Sequence, residues 1–292
     1  MSPMSRVGGY TGPGGRPRLE QMLFLYLVLS ATALIALVPF LWLVFGALKS
    51  PQEIRQIPPT LFPRVWRFDN FLRVFTVPSI KLPLPTYYFN SLAVAAARVA
   101  MILFTSSLIG YVLAKFRFRG KRAIFWFIMS TMIVPFQVTM IPSYLILVRL
   151  RLIDTLWGLI VPSAIDAFGI FLMQQFIFSV PEALMDSARV DGASEWLMFR
   201  RILLPQLSAP CATLAMLTFM SSWNSYLWPL IVLKSDQKRT LPIILYFFQG
   251  QQVQRLELIM AASILIIAPM LIVFLSSQKW IIQGLAFTGL KE

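Results

Sequence analysis

The chain has 292 residues, of which 58% are hydrophobic and only 13% are charged. About a quarter of the residues of a soluble domain are charged, so this composition excludes a soluble enzyme and indicates an integral membrane protein. The formal net charge of +14 would suit nucleic acid, but the densest basic cluster lies in a short loop between apolar segments, where anionic lipid headgroups explain it. We therefore expect a lipid bilayer, and no nucleic acid, as a partner.

A basic tail, residues 1–21, precedes the first long apolar run, residues 23–47. The uncharged stretch around this run is far longer than the roughly 7–15 residues of a signal-peptide core. It therefore predicts a membrane anchor that is not cleaved.

Six apolar runs are long enough to cross the bilayer, which requires about 20 residues in a helix. They are residues 23–47, 90–114, 123–148, 157–180, 211–233 and 258–278. A helix satisfies its own backbone hydrogen bonds where there is no water. We predict an all-α integral membrane protein with six transmembrane helices, comprising a membrane domain of residues 22–283 and a C-terminal tail of residues 284–292.

An even number of spans places both termini on the same side of the membrane. Lys and Arg are divided almost equally between the two sets of loops, but short loops weigh most in orientation. The short loop 115–122 holds Lys115, Arg117, Arg119, Lys121 and Arg122. We therefore predict that both termini are cytoplasmic.

Arg98 and Asp166 are the only charges inside the predicted spans. A charge within the membrane costs at least a few kcal/mol unless it is paired or hydrated. The two residues lie at matching depths from the outer ends of their helices, so they are a candidate intramembrane pair. The alternative is that each side chain extends to the outer surface.

Prolines interrupt several spans, as is common in helices that line a transport path; tolerated kinks are the alternative. In the fifth span, Trp223, Asn224 and Tyr226 are candidate substrate-pathway residues. An amide and aromatic faces suit the hydroxyl edges and C–H faces of a sugar. The alternative is an interhelical Asn bond beside aromatic residues of the membrane interface.

The loop between the fourth and fifth spans, residues 181–205, is patterned as two short helices. Pro181 ends the fourth span, and Ser179 with Glu182 can form a capping box for a helix that reaches about Val190. Gly192 permits a positive φ in the turn that follows.

Ser194 can then cap a second helix. Its predicted apolar face is Trp196, Phe199 and Leu203, and Pro205 and Pro210 end it. Without other information, such a hairpin could rest on lipid headgroups.

Residues 182–193, EALMDSARVDGA, resemble the EAA loop of ABC importer permeases. In that family a Glu-Ala-Ala triplet precedes a Gly, and the loop is a coupling helix that seats in a groove of the ATP-hydrolysing subunit. Here the triplet reads Asp186-Ser187-Ala188, which keeps the carboxylate on a shorter side chain. The residues that the resemblance implies in ATPase coupling are Glu182, Ala183, Asp186, Ser187, Ala188, Asp191, Gly192 and Ala193.

Over about residues 85–290 the chain is similar to maltose-type sugar permeases, and above all to the smaller, second permease of a heterodimeric importer. The motifs that carry this similarity are Phe89-Asn90-Ser91, Val134-Pro135, Ile141-Pro142, residues 191–194, Phe199, Leu204-Pro205, residues 223–230, Phe248-Gln249-Gly250-Gln251 and the tail 284–291.

The resemblance implies a permease subunit of the bacterial plasma membrane that forms half of the translocation path for a sugar or related solute. Its implied partners are a second permease, a dimer of ATP-binding subunits and an external solute-binding protein. The chain lacks a Gly-x-x-x-x-Gly-Lys-Ser/Thr phosphate loop. We therefore expect no catalytic residue and no cofactor in this chain, with ATP and Mg²⁺ bound by the partner ATPase.

Two alternatives stay within transport: an ion-coupled secondary transporter, for which Asp166 is thin support, and the same importer class with a cargo other than a sugar. A membrane-embedded enzyme is disfavoured because the chain has no His and a single Cys. The same composition predicts no metal site.

Overall fold

In the computed structural model, residues 19–76, 83–245 and 255–289 are described. Most of the N-terminal tail, the motif at 248–251 and residues 290–292 lie outside them. The described residues form helices and no strands. The α-helices are α1 (Leu19–Ala47), α2 (Asn70–Arg73), α3 (Leu84–Lys115), α4 (Lys121–Ser130), α5 (Phe136–Arg149), α6 (Trp157–Ile160), α7 (Ala167–Ser179), α8 (Glu182–Val190), α9 (Glu195–Met198), α10 (Leu204–Gln206), α11 (Ser208–Trp223), α12 (Leu227–Val232) and α13 (Leu256–Gly289).

Short helical turns of other kinds join these helices. A π-helical turn, Phe199–Leu203, connects α9 to α10. The 3₁₀ turns are Glu53–Arg55, Val74–Thr76, Thr131–Ile133, Val161–Ser163, Asp236–Lys238 and Leu241–Ile243.

Three unbroken helical stretches of the described chain are long and apolar enough to cross a membrane, namely Gln21–Ala47, Pro85–Lys115 and Leu256–Ser276. Three further helix pairs qualify only if each bent pair counts as one span, which raises the number to as many as six. These pairs are Lys121–Ile133 with Phe136–Arg149, bent by 103°, Trp157–Ser163 with Ala167–Ser179, bent by 47°, and Glu195–Gln206 with Ser208–Trp223, bent by 79°. The all-α membrane fold is confirmed, and the predicted runs 123–148, 157–180 and 211–233 are each interrupted by a break in the helix.

The sharpest bend has a local cause at Pro135. A proline disfavours helical backbone at the residue before it, and Val134 is extended, with φ −78° and ψ 116°. The helix therefore ends at Ile133 and a new one begins at Phe136. By contrast, Pro39, Pro142 and Pro269 lie inside continuous helices, α1, α5 and α13 respectively.

The long helix α3 is the centre of the bundle and packs along α7 and α11. Two glycines permit the close approach of α3 and α7. A Cβ on Gly110 would lie 3.0 Å from the Met173 Cβ, and one on Gly169 would lie 2.5 Å from the Ser106 Oγ. Small residues at such crossings let helix backbones come together in a membrane.

Helix α1 contacts the rest of the molecule mainly through its C-terminal end, since its apolar side chains are exposed along most of its length. The segment Gly46–Lys49, which includes the last two residues of α1, is buried and is called the 46–49 latch. A Cβ on Gly46 would lie 2.1 Å from the Met260 Sδ of α13. Asn70 fixes the latch by donating from Nδ2 to the backbone oxygens of Ala47, at 2.8 Å, and Lys49, at 2.9 Å.

Asp154 joins the α5–α6 connection to the segment after α12. Its carboxylate accepts hydrogen bonds from the backbone N–H groups of Lys234 and Ser235, both at 2.9 Å, and from the Ser235 hydroxyl. Partial burial acts to raise the pKa of Asp154, but these bonds and one from Lys238 outweigh it and hold the pKa well below its usual range. The carboxylate is therefore an ionised tie between two connections.

Candidate functional site

The predicted site residues fall in two regions of the structure. The first is the segment between α7 and α11, residues 181–206, which is called the 181–206 hairpin. The second is a cavity between the bent helix pairs.

The first helix of the hairpin is α8, Glu182–Val190. The predicted capping box is wrong, because the N-cap residue is Pro181, without a side-chain cap, and the Ser179 hydroxyl donates instead to the Phe176 oxygen at 2.7 Å. The helix buries Met185 and Ala188 on one face. The predicted coupling residues Glu182, Ala183, Asp186 and Ser187 are exposed.

The turn after α8 depends on glycine for its backbone conformation. Gly192 has a φ of +78°, in the left-handed region, and its N–H donates to the Arg189 oxygen at 3.0 Å. The Ala193 N–H closes the turn by donating to the Ala188 oxygen at 2.9 Å. A Cβ on Gly192 would meet nothing within 4 Å, so the turn is open on its outer side, beside the exposed Asp191.

The second helical stretch of the hairpin begins as the sequence predicts and ends later. The Ser194 hydroxyl accepts from the Leu197 N–H at 3.3 Å and caps α9. The prediction that Pro205 stops the helix is wrong, because Pro205 lies in the first turn of α10, where its missing N–H costs nothing. The chain bends instead at Leu207.

The predicted apolar face of this stretch is only partly buried. Phe199 and Leu203 are in the core, whereas Trp196 is 54% exposed. The Trp196 ring still packs on the Phe199 ring, with centroids 5.5 Å apart.

The hairpin is attached to the ends of two long helices. Its buried residues, Met185, Ala188, Met198, Phe199 and Leu203, pack in one apolar cluster with Tyr111 of α3 and with Met173 and Ile177 of α7. The Tyr111 hydroxyl donates to the Glu195 Oε2 at 2.5 Å. Lys115 Nζ donates to the Val180 oxygen at 2.7 Å. The sequence reasoning missed Tyr111 and Lys115, although their spacing of four places them on one face of a helix.

The exposed surface of the hairpin carries a small ionic network. The Arg189 guanidinium pairs with the Asp186 Oδ1 at 3.0 Å and with the Glu195 Oε1 at 3.3 Å. The hydrogen bond to Glu195, and then the bond to Asp186, raise the pKa of Arg189. Beside this network Val190 is 88% exposed, so the outer surface offers both charge and an apolar side chain.

The breaks of the first two bent pairs and the break between α11 and α12 converge on one cavity of about 460 Å³. The first break contributes Phe136 and Gln137, the second Pro162 and Ser163, and the break between α11 and α12 contributes Ser225 and Tyr226. The remaining lining residues are Arg98, Thr139, Ser143, Leu159, Ser221, Leu227 and Trp228.

Of the three predicted substrate-pathway residues, Tyr226 lines this cavity, and the other two do not. Trp223 is buried in the packing core, where its Nε1 donates to the Ile266 oxygen of α13 at 2.9 Å. Asn224 is the exposed C-cap residue of α11, and its Nδ2 lies 3.2 Å from the Met270 Sδ. The sequence reasoning missed the polar lining residues, although Ser221 and Ser225 share one helical spacing.

The predicted ion pair between Arg98 and Asp166 is not formed within 4.0 Å, although the two charges are close enough to interact electrostatically. Asp166 instead caps α7, because its Oδ2 accepts from the Gly169 N–H at 2.6 Å. The Arg98 Nε is buried without a hydrogen-bond partner in the described part of the chain.

Comparison with known proteins places these features in a family. A family profile described as "Binding-protein-dependent transport system inner membrane component" matches residues 106–287. The arabinooligosaccharides transport system permease protein AraQ of Bacillus subtilis (strain 168) is 36% identical over 261 residues, which are 89% of this chain and 92% of AraQ. The lactose transport system permease protein LacG of Rhizobium radiobacter is 32% identical over 89% of this chain and 93% of LacG.

Among solved structures, a bacterial ABC transporter involved in the import of the acidic polysaccharide alginate contains a chain of similar fold. The TM-score is 0.76 at 24% sequence identity, covering 92% of this chain and 99% of that chain. From the extent of the profile match and the identity to AraQ, the chain belongs to the family of inner membrane permeases of binding-protein-dependent ABC transporters.

Proposed function

We propose that this permease is one subunit of an ABC importer for a sugar or a related solute and forms half of its translocation path. The names of AraQ and LacG, which refer to arabinooligosaccharides and lactose, support a sugar as cargo. The observation that carries the proposal is the 181–206 hairpin, which is seated on α3 and α7 and leaves its predicted coupling residues exposed.

In the proposed topology the first two bent pairs are one span each, and α11 with α12 forms the fifth span, which gives six spans with both termini in the cytoplasm. The hairpin then lies on the cytoplasmic side, together with the basic loop 115–122. The bond from Lys115 to the Val180 oxygen supports this arrangement, because it puts the start of that loop beside the hairpin. The excess of basic residues in short cytoplasmic loops agrees with it.

The exposed face of α8 is the proposed seat on a separate ATP-binding subunit, which would bind ATP and Mg²⁺ as one of two copies. A second permease would complete the path, and an external solute-binding protein would deliver the cargo. The exposed carboxylate of Asp186 and the open outer side of Gly192 are the features of this chain that support such a seat.

Two helices connect the hairpin to the cavity. Glu195 of the hairpin is bonded to Tyr111 of α3, the helix that carries Arg98 into the cavity. The buried cluster joins the hairpin to α7, which begins beside the second break. A rigid-body movement of the hairpin would therefore be passed to two walls of the proposed path.

Purification of the tagged chain from its native membrane in mild detergent tests the proposal. We expect an ATP-hydrolysing subunit to copurify and Gly192→Asp to remove ATP-driven uptake while the chain still inserts. A chain that is recovered alone, with uptake indifferent to ATP, would indicate the secondary transporter instead. Asp166, the acid on which that alternative depended, is engaged as a helix cap.

A further inference from the structure

We propose that Arg98 binds an anionic group of the transported solute, a carboxylate or phosphate carried by a sugar, inside the cavity between the breaks. This inference rests on the proposed function and specifies the chemistry of its cargo. It assigns to this subunit a direct contact with the solute.

Arg98 lies deep within its helix. It is close to the midpoint of α3, Leu84–Lys115. At about 1.5 Å per residue it is about 21 Å from the first residue of the helix and about 26 Å from the last. An arginine side chain is too short to cover either distance, so the guanidinium remains at the depth of the cavity that it lines.

The Arg98 guanidinium makes no direct ion pair in the described part of the chain, although Asp166 acts on it electrostatically from farther away. No ion pair within 4.0 Å involves Arg98, and its buried Nε makes no hydrogen bond. A small adjoining void of about 10 Å³ also touches Arg98, and the polar residues around it are Ser91, Ser222, Ser225 and Thr240. These hydroxyls are neutral, so they do not balance the charge.

The nearby acid, Asp166, is already used. Its Oδ2 accepts the Gly169 N–H at 2.6 Å, and the carboxylate stands at the N-terminus of α7. An anion at that place is stabilised by the free N–H groups and by the positive end of the helix dipole. The N-terminus of α7 therefore holds the Asp166 carboxylate in place without a direct bond to Arg98, and direct contact with the guanidinium is left for another anion.

The rest of the cavity suits a sugar. Its lining combines hydroxyl and amide side chains, Thr139, Ser143, Ser163, Ser221 and Gln137, with the aromatic rings of Phe136, Tyr226 and Trp228. Its volume of about 460 Å³ falls within the roughly 300–1,000 Å³ of ligand sites. No Asp or Glu is among these described lining residues, and a guanidinium can hold a carboxylate or phosphate through two parallel hydrogen bonds.

The first experiment measures which sugars drive the assembled transporter. The native complex is placed in liposomes with its solute-binding protein, and uptake is measured for neutral probes, lactose and xylotetraose, and for acidic probes, digalacturonate, aldotetraouronic acid and glucose 6-phosphate. We expect at least one acidic probe to be transported about tenfold or more faster than either neutral probe. Digalacturonate and aldotetraouronic acid test a carboxylate, and glucose 6-phosphate tests a phosphate.

Transport of the neutral probes alone, or of none of the acidic probes, would overturn the anionic cargo while the ATP-driven importer stands. Failure of the proposed function has a different signature, because the wild-type chain would then copurify without an ATP-hydrolysing subunit.

The second experiment tests Arg98 with matched variants and the acidic probe that the wild type transports. Arg98→Gln should lower its uptake about tenfold to a hundredfold, since a hydrogen bond to a charged group is lost, and Arg98→Lys should retain an intermediate rate. Asp166→Asn is the control, because Asn caps a helix as well as Asp does, and its uptake should match the wild type.

Copurification of the ATP-hydrolysing subunit measures assembly of each variant. If Arg98→Gln loses assembly while Arg98→Lys keeps it, Arg98 instead pairs with an acid of another subunit, and the proposal is wrong. It is also wrong if Arg98→Gln transports the acidic probe at the wild-type rate.

Discussion

The 181–206 hairpin and the mid-span cavity differ in how far apart in the sequence their determining residues lie. Each feature of the hairpin acts over a few residues: Pro181 precedes α8, Gly192 makes the turn and Ser194 caps α9. The cavity instead collects side chains from residue 98 to residue 228, on several separate helices. Local chemistry therefore specifies the hairpin, and only the tertiary fold specifies the cavity.

The two regions also differ in what fills them. The hairpin buries apolar side chains against α3 and α7, with Met185, Met198 and Leu203 fully inaccessible. The cavity is an open space lined by hydroxyl, amide, aromatic and aliphatic side chains, with one positive charge. The packed hairpin can transmit a movement to the helices, and the cavity can accept a solute. The proposed function requires both.

The largest expected effect is at the turn of the hairpin. Gly192→Asp should abolish ATP-driven uptake, because the new side chain points into the open space that the ATP-binding subunit is proposed to occupy. The positive φ adds a backbone strain of about 1–2 kcal/mol, which is too little to prevent insertion. Uptake in liposomes and the amount of chain in the membrane are the two measurements.

Gly120→Asp is the matched control for that prediction. Gly120 has a φ of +83° and also meets nothing within 4 Å of an added Cβ, so its variant carries the same strain and the same charge. We expect it to retain uptake. Equal loss in both variants would show that backbone strain, and not the position of the hairpin, is responsible.

A smaller effect is expected in the core beneath α8. Met185→Ala removes a fully buried side chain and should lower the free energy of unfolding by about 2–5 kcal/mol. Because the loss loosens the seat of α8, coupling of ATP hydrolysis to uptake should also fall. The neighbouring Leu184 is 39% exposed, so Leu184→Ala should lower the free energy of unfolding by less than Met185→Ala does. An equal loss, measured by thermal unfolding, would contradict the burial of the face of α8 that carries Met185.

A third region is the contact between Asp154 and the segment after α12. A substitution at Asp154 tests whether this one carboxylate holds the two connections together. Asp154→Asn should lower the free energy of unfolding by about 1–3 kcal/mol, because an amide cannot accept all of the bonds from Lys234, Ser235 and Lys238. Resistance of this segment to protease in the detergent-solubilised complex gives a local readout. Unchanged resistance would mean that this contact does not hold the two connections together.

The lowered pKa of Asp154 also predicts a dependence on pH. A carboxyl with a depressed pKa in the folded state stabilises the fold above its unfolded pKa, about 3.9, and that stability is lost as the pH falls through lower values. The wild type should therefore lose thermal stability below about pH 4, and Asp154→Asn should lose less over the same interval.

The smallest effect is expected from the ionic network on the hairpin surface. Arg189 pairs with Asp186 and Glu195, but all three side chains are largely exposed, and exposed ion pairs contribute little to stability. Arg189→Gln should leave the Tm of the complex unchanged. A large drop in Tm would mean that the pairs are shielded from water in the assembled transporter.

The sequence predicts the apolar runs and the α8–turn–α9 order because both follow from hydropathy and from short-range backbone preferences. It does not show that Trp223, a candidate pathway residue, lies in the core with its Nε1 bonded to the Ile266 oxygen. It also does not show that the Asp166 carboxylate accepts from a backbone N–H three residues away. In both cases the contacts depend on how helices meet, which hydropathy does not encode.

The bends in the helices are predicted only in part from the sequence. The proline at position 135 breaks its span, and the proline at 142 does not. Both are equally visible in the sequence, so the presence of a proline does not by itself decide whether the helix breaks. A proline therefore marks a place where a span can break, and tertiary packing decides whether it does.

The 46–49 latch has a consequence for how the protein is made. Helix α1 is synthesised first, whereas Met260, against which Gly46 closes, follows only after most of the chain. The apolar flank of α1 needs no protein neighbour in the meantime, since lipid tails are as apolar as leucine. The apolar character of α1 is therefore sufficient for its insertion. The contact of Gly46 with α13 forms late, after the other helices of the bundle have been synthesised.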